Sequence, residues 1–317
     1  MYVLEMIPPR MIHAARERIK DIALRTPLIR LNVENTAAEI YLKLENLQPI
    51  GSFKIRGAAN AIRIADKKQL EGGVWTASAG NMAQGVAWCA QQLGLKCTII
   101  APDTAPETKL SAIERMGARI VSVPFLDWLE IYNTRQYQGV SGLFIHAFSD
   151  LAVMAGNGTI ALEILEDLPD VDAVITPYGG GGLSCGVASV FCYLKPDTLC
   201  YAAEVETAAP LSASFAGGEM VEVKHTPSFV DGIGIPFLYP EMWDFAQEVL
   251  DGSLVSSLTE IETSIRLLAE RNHVVVEGAG AAPVAAALSG RAGSGKVVCV
   301  VSGGNINLSI LADIFNN

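Results

Sequence analysis

The stretch AVITPYGGGGLSCGVASVF, residues 173–191, contains a strand, a turn and a helix in that order. It opens on apolar and β-branched residues, passes through Gly179, Gly180, Gly181 and Gly182, and continues as an apolar helical segment over 183–194. A strand that is apolar at successive positions is buried on both faces, as in a parallel sheet covered by helices. The four glycines let the backbone turn tightly where strand meets helix. Successive N–H groups at the helix start can then face an anion. The spacing of Gly180, Gly182 and Gly186 is GxGxxxG, not GxGxxG, and no acidic residue follows at the distance used by dinucleotide sites. The reading is a phosphate cradle in preference to a dinucleotide fold.

The same alternation extends in both directions. Strands are expected at 40–45, 73–79, 97–102, 119–124, 143–148, 173–179, 199–206 and 297–304, with helices at 82–93, 106–116, 158–167, 183–194, 259–271 and 306–315. This is an α/β chain whose right-handed crossovers place ligand loops at the carboxyl ends of the strands. Breaks in the chain are expected near Pro49–Gly51 and around 141–150. Two further glycine clusters compete with the first. GRAGSGKV (290–297) nearly matches a P-loop, but Val297 stands where Ser or Thr would hold Mg²⁺, and a strand follows instead of preceding it; it reads as a surface loop. In VVEGAGAAPVAAAL (275–288) the glycines open an Ala-rich helix and are explained by close packing.

Bulk properties narrow the class. The 317 residues carry a net charge of −11 and are 50% hydrophobic. The acidic balance argues against a nucleic-acid or anionic-membrane partner. No apolar run reaches the roughly 18 residues of a membrane span, and the N-terminus has no secretory pattern. A cytoplasmic protein acting on a small molecule is expected. The six cysteines form no CxxC pair and read as buried thiols, and the four histidines have no HExxH spacing.

Two more stretches carry chemistry. In ENLQPIGSFKIRGAAN (45–60), Lys54 sits among Gly51, Ser52, Phe53, Ile55 and Gly57. It is either a solvated cation beside a turn or a reactive amine whose pKa its surroundings depress. In TASAGNMAQGVAWCA (76–90), Ser78, Ala79, Gly80 and Asn81 follow a strand and open a helix, a setting suited to a carboxylate, with Asn81 offering both donor and acceptor.

The order Lys54, the 78–82 loop, the 179–182 loop and VSGGN (301–305) resembles the fold-type II pyridoxal-phosphate enzymes, the tryptophan synthase β superfamily. RTPLIR (25–30), APDTAPETKLSAIERMGA (101–118) and GNGTIALEIL (156–165) match the threonine/serine dehydratase and serine racemase branch. The resemblance implies two open, twisted, mostly parallel sheets covered by helices. A large cofactor domain (1–50 and 145–317) would carry an inserted small substrate domain (51–144). It implies pyridoxal 5′-phosphate as cofactor and Lys54 as the amine that condenses with its aldehyde and then acts as general base. Phe53 would pack by the ring, Asn81 would bond the 3′-oxygen, and Gly179–Gly182 with Leu183 would hold the phosphate. Ser302 would face the pyridine nitrogen, and Glu277 would lie near the ring. The substrate carboxylate would meet Ser78, Ala79, Gly80, Asn81 and Met82. A homodimer is implied as well. The motifs end close to residue 317, so no amino-acid-binding regulatory domain is expected.

Departures from the branch refine the activity. Ala79 stands where racemases carry a serine on the second face of the cofactor, which favours α,β-elimination over inversion. Met82 replaces a common histidine, and Ala147, Ser149, Leu151 and Asn157 differ from the usual residues of HPFDDPxxxAGQGT. The branch's cation site needs a glutamate, a carbonyl and an aspartate; Glu204 and Ala208 match the first two, and Pro210 replaces the third, which leaves a Mg²⁺ or Ca²⁺ site open. The expected activity is an ammonia-lyase converting a β-hydroxy amino acid such as threonine or serine to a 2-oxo acid and ammonia. A dehydratase for 3-hydroxyaspartate or a hydroxyectoine-breakdown intermediate, a racemase, and a non-catalytic cofactor-binding regulator are the alternatives.

Overall fold

The computed structural model describes residues 6–316. In chain order its strands are β1 (Leu28–Arg30), β2 (Ala38–Leu44), β3 (Val74–Ala77), β4 (Cys97–Pro102), β5 (Arg119–Val123), β6 (Leu143–Phe144), β7 (Ala173–Pro177), β8 (Leu199–Val205), β9 (Gly252–Ser256) and β10 (Gly295–Val301). They form a six-stranded sheet in the order β1-β2-β10-β7-β8-β9 and a four-stranded sheet in the order β5-β4-β3-β6. Every pairing is parallel except β1 against β2. The chain leaves the large sheet after β2, builds the small sheet with β3 to β6, and returns at β7. β7 and β3 are buried at every position, as strands covered on both faces must be.

Several expected strands run past the real ones. β3 stops at Ala77, β6 at Phe144, β7 at Pro177 and β10 at Val301. Beyond β6, β7 and β10 the next residues belong to buried loops, and beyond β3 Ser78 and Ala79 are half-buried, so hydropathy alone continues the strand. β1 and β9 were not expected, nor were the helices Pro9–Ile19, Lys54–Ile64, Phe125–Thr134 and Pro240–Val249. β1 spans only three residues. The helix Lys54–Ile64 is buried continuously from Ile55 to Ile62, polar Arg56 and Asn60 included, so it lacks the polar face that helical periodicity needs.

That helix is the pivot of the fold. It crosses the helix Leu151–Asp167 so closely that a Cβ on Gly156 would fall 2.4 Å from the Arg56 carbonyl oxygen. Beside the crossing lies a closed ion cluster. Arg56 bonds Glu45 through Nε (2.8 Å) and Nη2 (2.8 Å), and Glu163 through Nη1 (2.7 Å) and Nη2 (2.9 Å). Lys43 Nζ adds 2.6 Å contacts to Glu163 and the Thr26 carbonyl. All four charged residues are at most 5% exposed. Two cations thus face two anions out of water, and spare lone pairs are taken by Thr26 and Gln48. The six cysteines are unpaired, five of them buried. The GRAGSGKV turn lies at the amino end of β10, the opposite end of the sheet from the loops described next.

Candidate active site

Four helices begin around one cleft at the carboxyl ends of β3, β7 and β10. They are Lys54–Ile64, Asn81–Gln92, Gly182–Leu194 and Gly278–Leu288, and none has a side-chain cap. Uncapped helix starts present backbone N–H donors and the positive end of the helix dipole. Backbone bonds lock their loops together. Phe53 N donates to Ser302 O (3.0 Å), Gly304 N to Gly51 O (2.9 Å) and Glu277 N to Gly303 O (3.1 Å). Ser52 and Gly303 form an antiparallel bridge. These bonds bring Lys54, Glu277 and Ser302, far apart in sequence, to one place.

Lys54 begins its helix, and its Nζ donates to the Ala147 carbonyl oxygen at 2.9 Å, with the Phe53 ring 5.0 Å away. Burial pushes its pKa down to about 8, against the opposing charge of Glu277. A position in the first helical turn acts in the same direction as burial, because the dipole disfavours a cation there. Arg56, two residues on, has the opposite fate. Burial disfavours its charge too, but Glu45 and Glu163 outweigh burial and raise its pKa. One cation is caged by carboxylates and the other is not.

Phe148, next to Ala147, connects the lysine to the glycine loop. A Cβ on Gly180 would fall 1.9 Å from Phe148 Cδ1, and one on Gly182 2.7 Å from Phe148 Cα. Gly181 has φ of 89°, a conformation open to glycine at little cost. Gly180 and Gly182 are thus needed for the loop to lie against Phe148, and the first N–H groups of the helix, that of Leu183 among them, have no side-chain cap.

Asn81 is held from both sides. Its Nδ2 donates to Glu277 Oε1 (2.9 Å) and Oε2 (3.2 Å), and its Oδ1 accepts from Asn305 Nδ2 (2.8 Å). Glu277 is buried, and burial lifts its pKa to about 7 despite the Asn81 bond. In the 78–82 loop, Ser78, Ala79, Gly80 and Asn81 are half-buried and Met82 is buried. A Cβ on Gly80 would meet no atom within 4 Å, so the loop borders open space at that point.

Three features of this cleft were not read from the sequence. The Ala147 carbonyl holds the lysine, yet a backbone acceptor leaves no trace in residue type. Asn305 was visible in VSGGN but received no role. The segment Val230–Ile233 lies over the cleft: the Gly232 carbonyl oxygen is 3.3 Å from where a Gly179 Cβ would be, and Asp231 pairs with Lys109 of the small-sheet side. Its Asp-Gly dipeptide was the available signal. His146 takes no part in a triad. Its Nδ1 accepts from Ser149 N (2.9 Å), and burial, then Arg135 and Lys54, push its pKa down to about 3. Glu204 lies outside the cleft. Its carboxylate accepts from the N–H groups of Leu211 (2.9 Å) and Ser212 (2.7 Å) and from the Ser253 hydroxyl (2.6 Å), while Ala208 N closes a turn onto Val205 O. Among the described residues no three His, Cys, Asp or Glu side chains converge as metal ligands.

A family model described as pyridoxal-phosphate dependent enzyme matches residues 19–303. The chain belongs to that family. It is 39% identical over 316 residues to the L-threonine ammonia-lyase of Thermotoga maritima, covering 98% of this chain and 79% of that one. Maize serine racemase shares the fold with a TM-score of 0.89 at 30% identity, covering 99% of this chain and 98% of that one. Tomato (Solanum lycopersicum) threonine deaminase isoform 2 follows with a TM-score of 0.87 at 29% identity, covering 97% and 87%. The fold-type II assignment and the cofactor are thus those expected from the motifs. The cleft fits pyridoxal phosphate on its own evidence. It has an amine of lowered pKa, a glycine loop that closes on an uncapped helix start, and open space beside Gly80.

Proposed function

We propose that this pyridoxal-phosphate enzyme is an ammonia-lyase for a small β-hydroxy amino acid, L-threonine or L-serine, releasing a 2-oxo acid and ammonia. The observation that carries this reading is the pairing of one proton-transfer amine, Lys54, with an alanine at position 79. Elimination needs a base for the Cα proton on one face only, whereas inversion needs a second acid on the other face. The names of the Thermotoga maritima relative and the tomato structure support the same reading.

Bound pyridoxal phosphate supplies the electron sink that acidifies the Cα proton of an amino acid. The protein supplies the remainder. The N–H groups of Gly179 to Leu183 would hold the phosphate dianion. The Asn81 amide would donate toward the ring oxygen, and Phe53 would pack by the ring. Ser302 would offer the pyridine nitrogen a neutral hydroxyl in place of a carboxylate. Glu277 steadies Asn81. The N–H groups at the start of the helix Asn81–Gln92, with Ser78, Ala79 and Gly80 before it, take the substrate carboxylate, and Met82 shapes that end of the pocket. Lys54, with a pKa near 8, is neutral in part at neutral pH and can accept the Cα proton while Ala147 O keeps it oriented.

The small sheet and its helices, residues 51–144, form the substrate domain in this reading, and residues 1–50 with 145–317 form the cofactor domain. The enzyme works as a cytoplasmic homodimer; exposed Leu24, Leu47, Val275 and Leu308 provide apolar surface for a second copy. Among the described residues no helix is long and apolar enough to cross a membrane. The test is 2-oxo acid and ammonia release from both isomers of serine, threonine and 3-hydroxyaspartate, with Cα exchange followed in deuterated water. Product from L-threonine or L-serine is expected. Inverted amino acid without oxo acid would refute the lyase, and product from 3-hydroxyaspartate alone would move the substrate class.

A further inference from the structure

Asn305 makes two hydrogen bonds from the same nitrogen. Its Nδ2 donates to the Ile50 carbonyl oxygen at 2.9 Å and to Asn81 Oδ1 at 2.8 Å. A backbone carbonyl can only accept, so the Ile50 contact determines which end of the Asn305 amide faces inward. Asn305 therefore shows Asn81 a donor, and Asn81 must answer with its oxygen. That leaves the Asn81 nitrogen on the Glu277 side, 2.9 Å and 3.2 Å from the two carboxylate oxygens; one N–H shared between them leaves the second for a ligand. Turned over, the Asn81 amide would set its oxygen against the Glu277 carboxylate and its nitrogen against the Asn305 nitrogen. Acceptor would face acceptor, and donor would face donor. Asn305 is exposed, but its segment is tied to the loop before Lys54 through Gly304 N and Gly51 O (2.9 Å), and its Oδ1 lies 2.6 Å from where a Cβ on Gly51 would be. The Asn305–Asn81 bond thus joins a loop after β10 of the large sheet to a helix after β3 of the small one.

We propose that Asn305 is a positioning residue that fixes the Asn81 carboxamide with its nitrogen toward the cofactor, so that the site offers the ring oxygen a donor and never an acceptor. The inference rests on the reading that Asn81 faces the cofactor ring.

The test compares Asn305→Asp, which has the same shape but no donor, with Asn305→Ala, which removes the donor and adds no charge. Two quantities are read. One is the dissociation constant of pyridoxal phosphate. The other is the ratio of the bound cofactor's two absorbance bands, which reports protonation of the ring oxygen. Asn305→Asp should weaken binding about 10-fold, the loss of one well-placed hydrogen bond, and shift the bands toward the protonated ring oxygen. Asn305→Ala should shift the bands in the same direction with a smaller loss of affinity. A merely structural Asn305 would lower the melting temperature and leave the band ratio of the loaded protein unchanged, which overturns the inference. Asn305→Ala decides the matter alone should Asn305→Asp fail to fold. Wild-type protein that binds no pyridoxal phosphate would bring down the functional reading and this inference with it, whereas normal wild-type binding with unmoved variants brings down only the inference.

Discussion

Arg56→Met removes the cation at the centre of the buried cluster while keeping a long apolar stem in the space. Glu45 and Glu163 then lose four hydrogen bonds of 2.7–2.9 Å between them. Lys43 remains close to Glu163 at 2.6 Å, so Glu45, at 0% exposure, becomes the stranded charge. Leaving one buried charge without its partner costs about 3–5 kcal/mol. For a chain of this size that corresponds to a fall in melting temperature of about 5–8 °C. Scanning calorimetry of the cofactor-free protein measures it. The control is Arg63→Met on the same helix, whose ion pair with Asp21 is at the surface and screened by water, and which should move the transition by a small fraction of that amount. The pH dependence provides a second check. Burial tends to raise the Glu45 pKa, but Arg56 and Thr26 bring it below its ordinary value. A depressed carboxylate contributes stability above its unfolded pKa and loses it as pH falls through the folded one. The gap between wild type and Arg56→Met should therefore be widest near neutrality and narrow in acid. Equal effects of Arg56→Met and Arg63→Met, or a gap that widens in acid, would refute the claim that the cluster holds this helix, and Lys54 with it.

Other consequences follow from the cleft. Lys54→Ala should abolish product formation and the long-wavelength band of the bound cofactor, while the wild-type rate of cofactor uptake should rise with pH around 8, not around the ordinary lysine value. Asp231 raises the Glu277 pKa and Lys109 lowers it, so Asp231→Asn should move that titration below 7 and Lys109→Met above it, as read by carbon NMR of the carboxyl groups in the cofactor-free protein. Gly180→Ala places a methyl 1.9 Å from the Phe148 ring; overpacking of this kind costs about 1–3 kcal/mol and should weaken pyridoxal phosphate binding, with Phe148→Ala restoring part of it. Because the Glu277 pKa stands above its unfolded value, its share of the cofactor-free protein's stability is complete in acid and is lost as pH rises through about 7; Glu277→Gln should flatten that segment of the stability profile.

The apolar runs of β3, β4, β7 and β10 and the glycines between β7 and its helix specified an α/β fold from the sequence, because burial on both faces and a tight strand-to-helix turn are local demands on residue type. The order of the Lys54, Asn81, glycine-loop and SGGN motifs indicated the cofactor through its resemblance to the fold-type II enzymes. Residue type and local pattern alone did not separate Lys54 from Arg56; only the family resemblance singled out Lys54. Both are basic residues in one apolar helix, and the difference between a reactive amine and a caged guanidinium lies in Glu45, Glu163 and Ala147, which the fold brings from three other segments. The roles of Asn305 and of Asp231 were hidden likewise, since an amide's orientation is determined by a carbonyl at Ile50 and an ion pair by a lysine on the other sheet. Residue type and spacing determine what a segment can do. Tertiary structure decides which charges it meets out of water, and that lowers the pKa of Lys54 and raises that of Arg56.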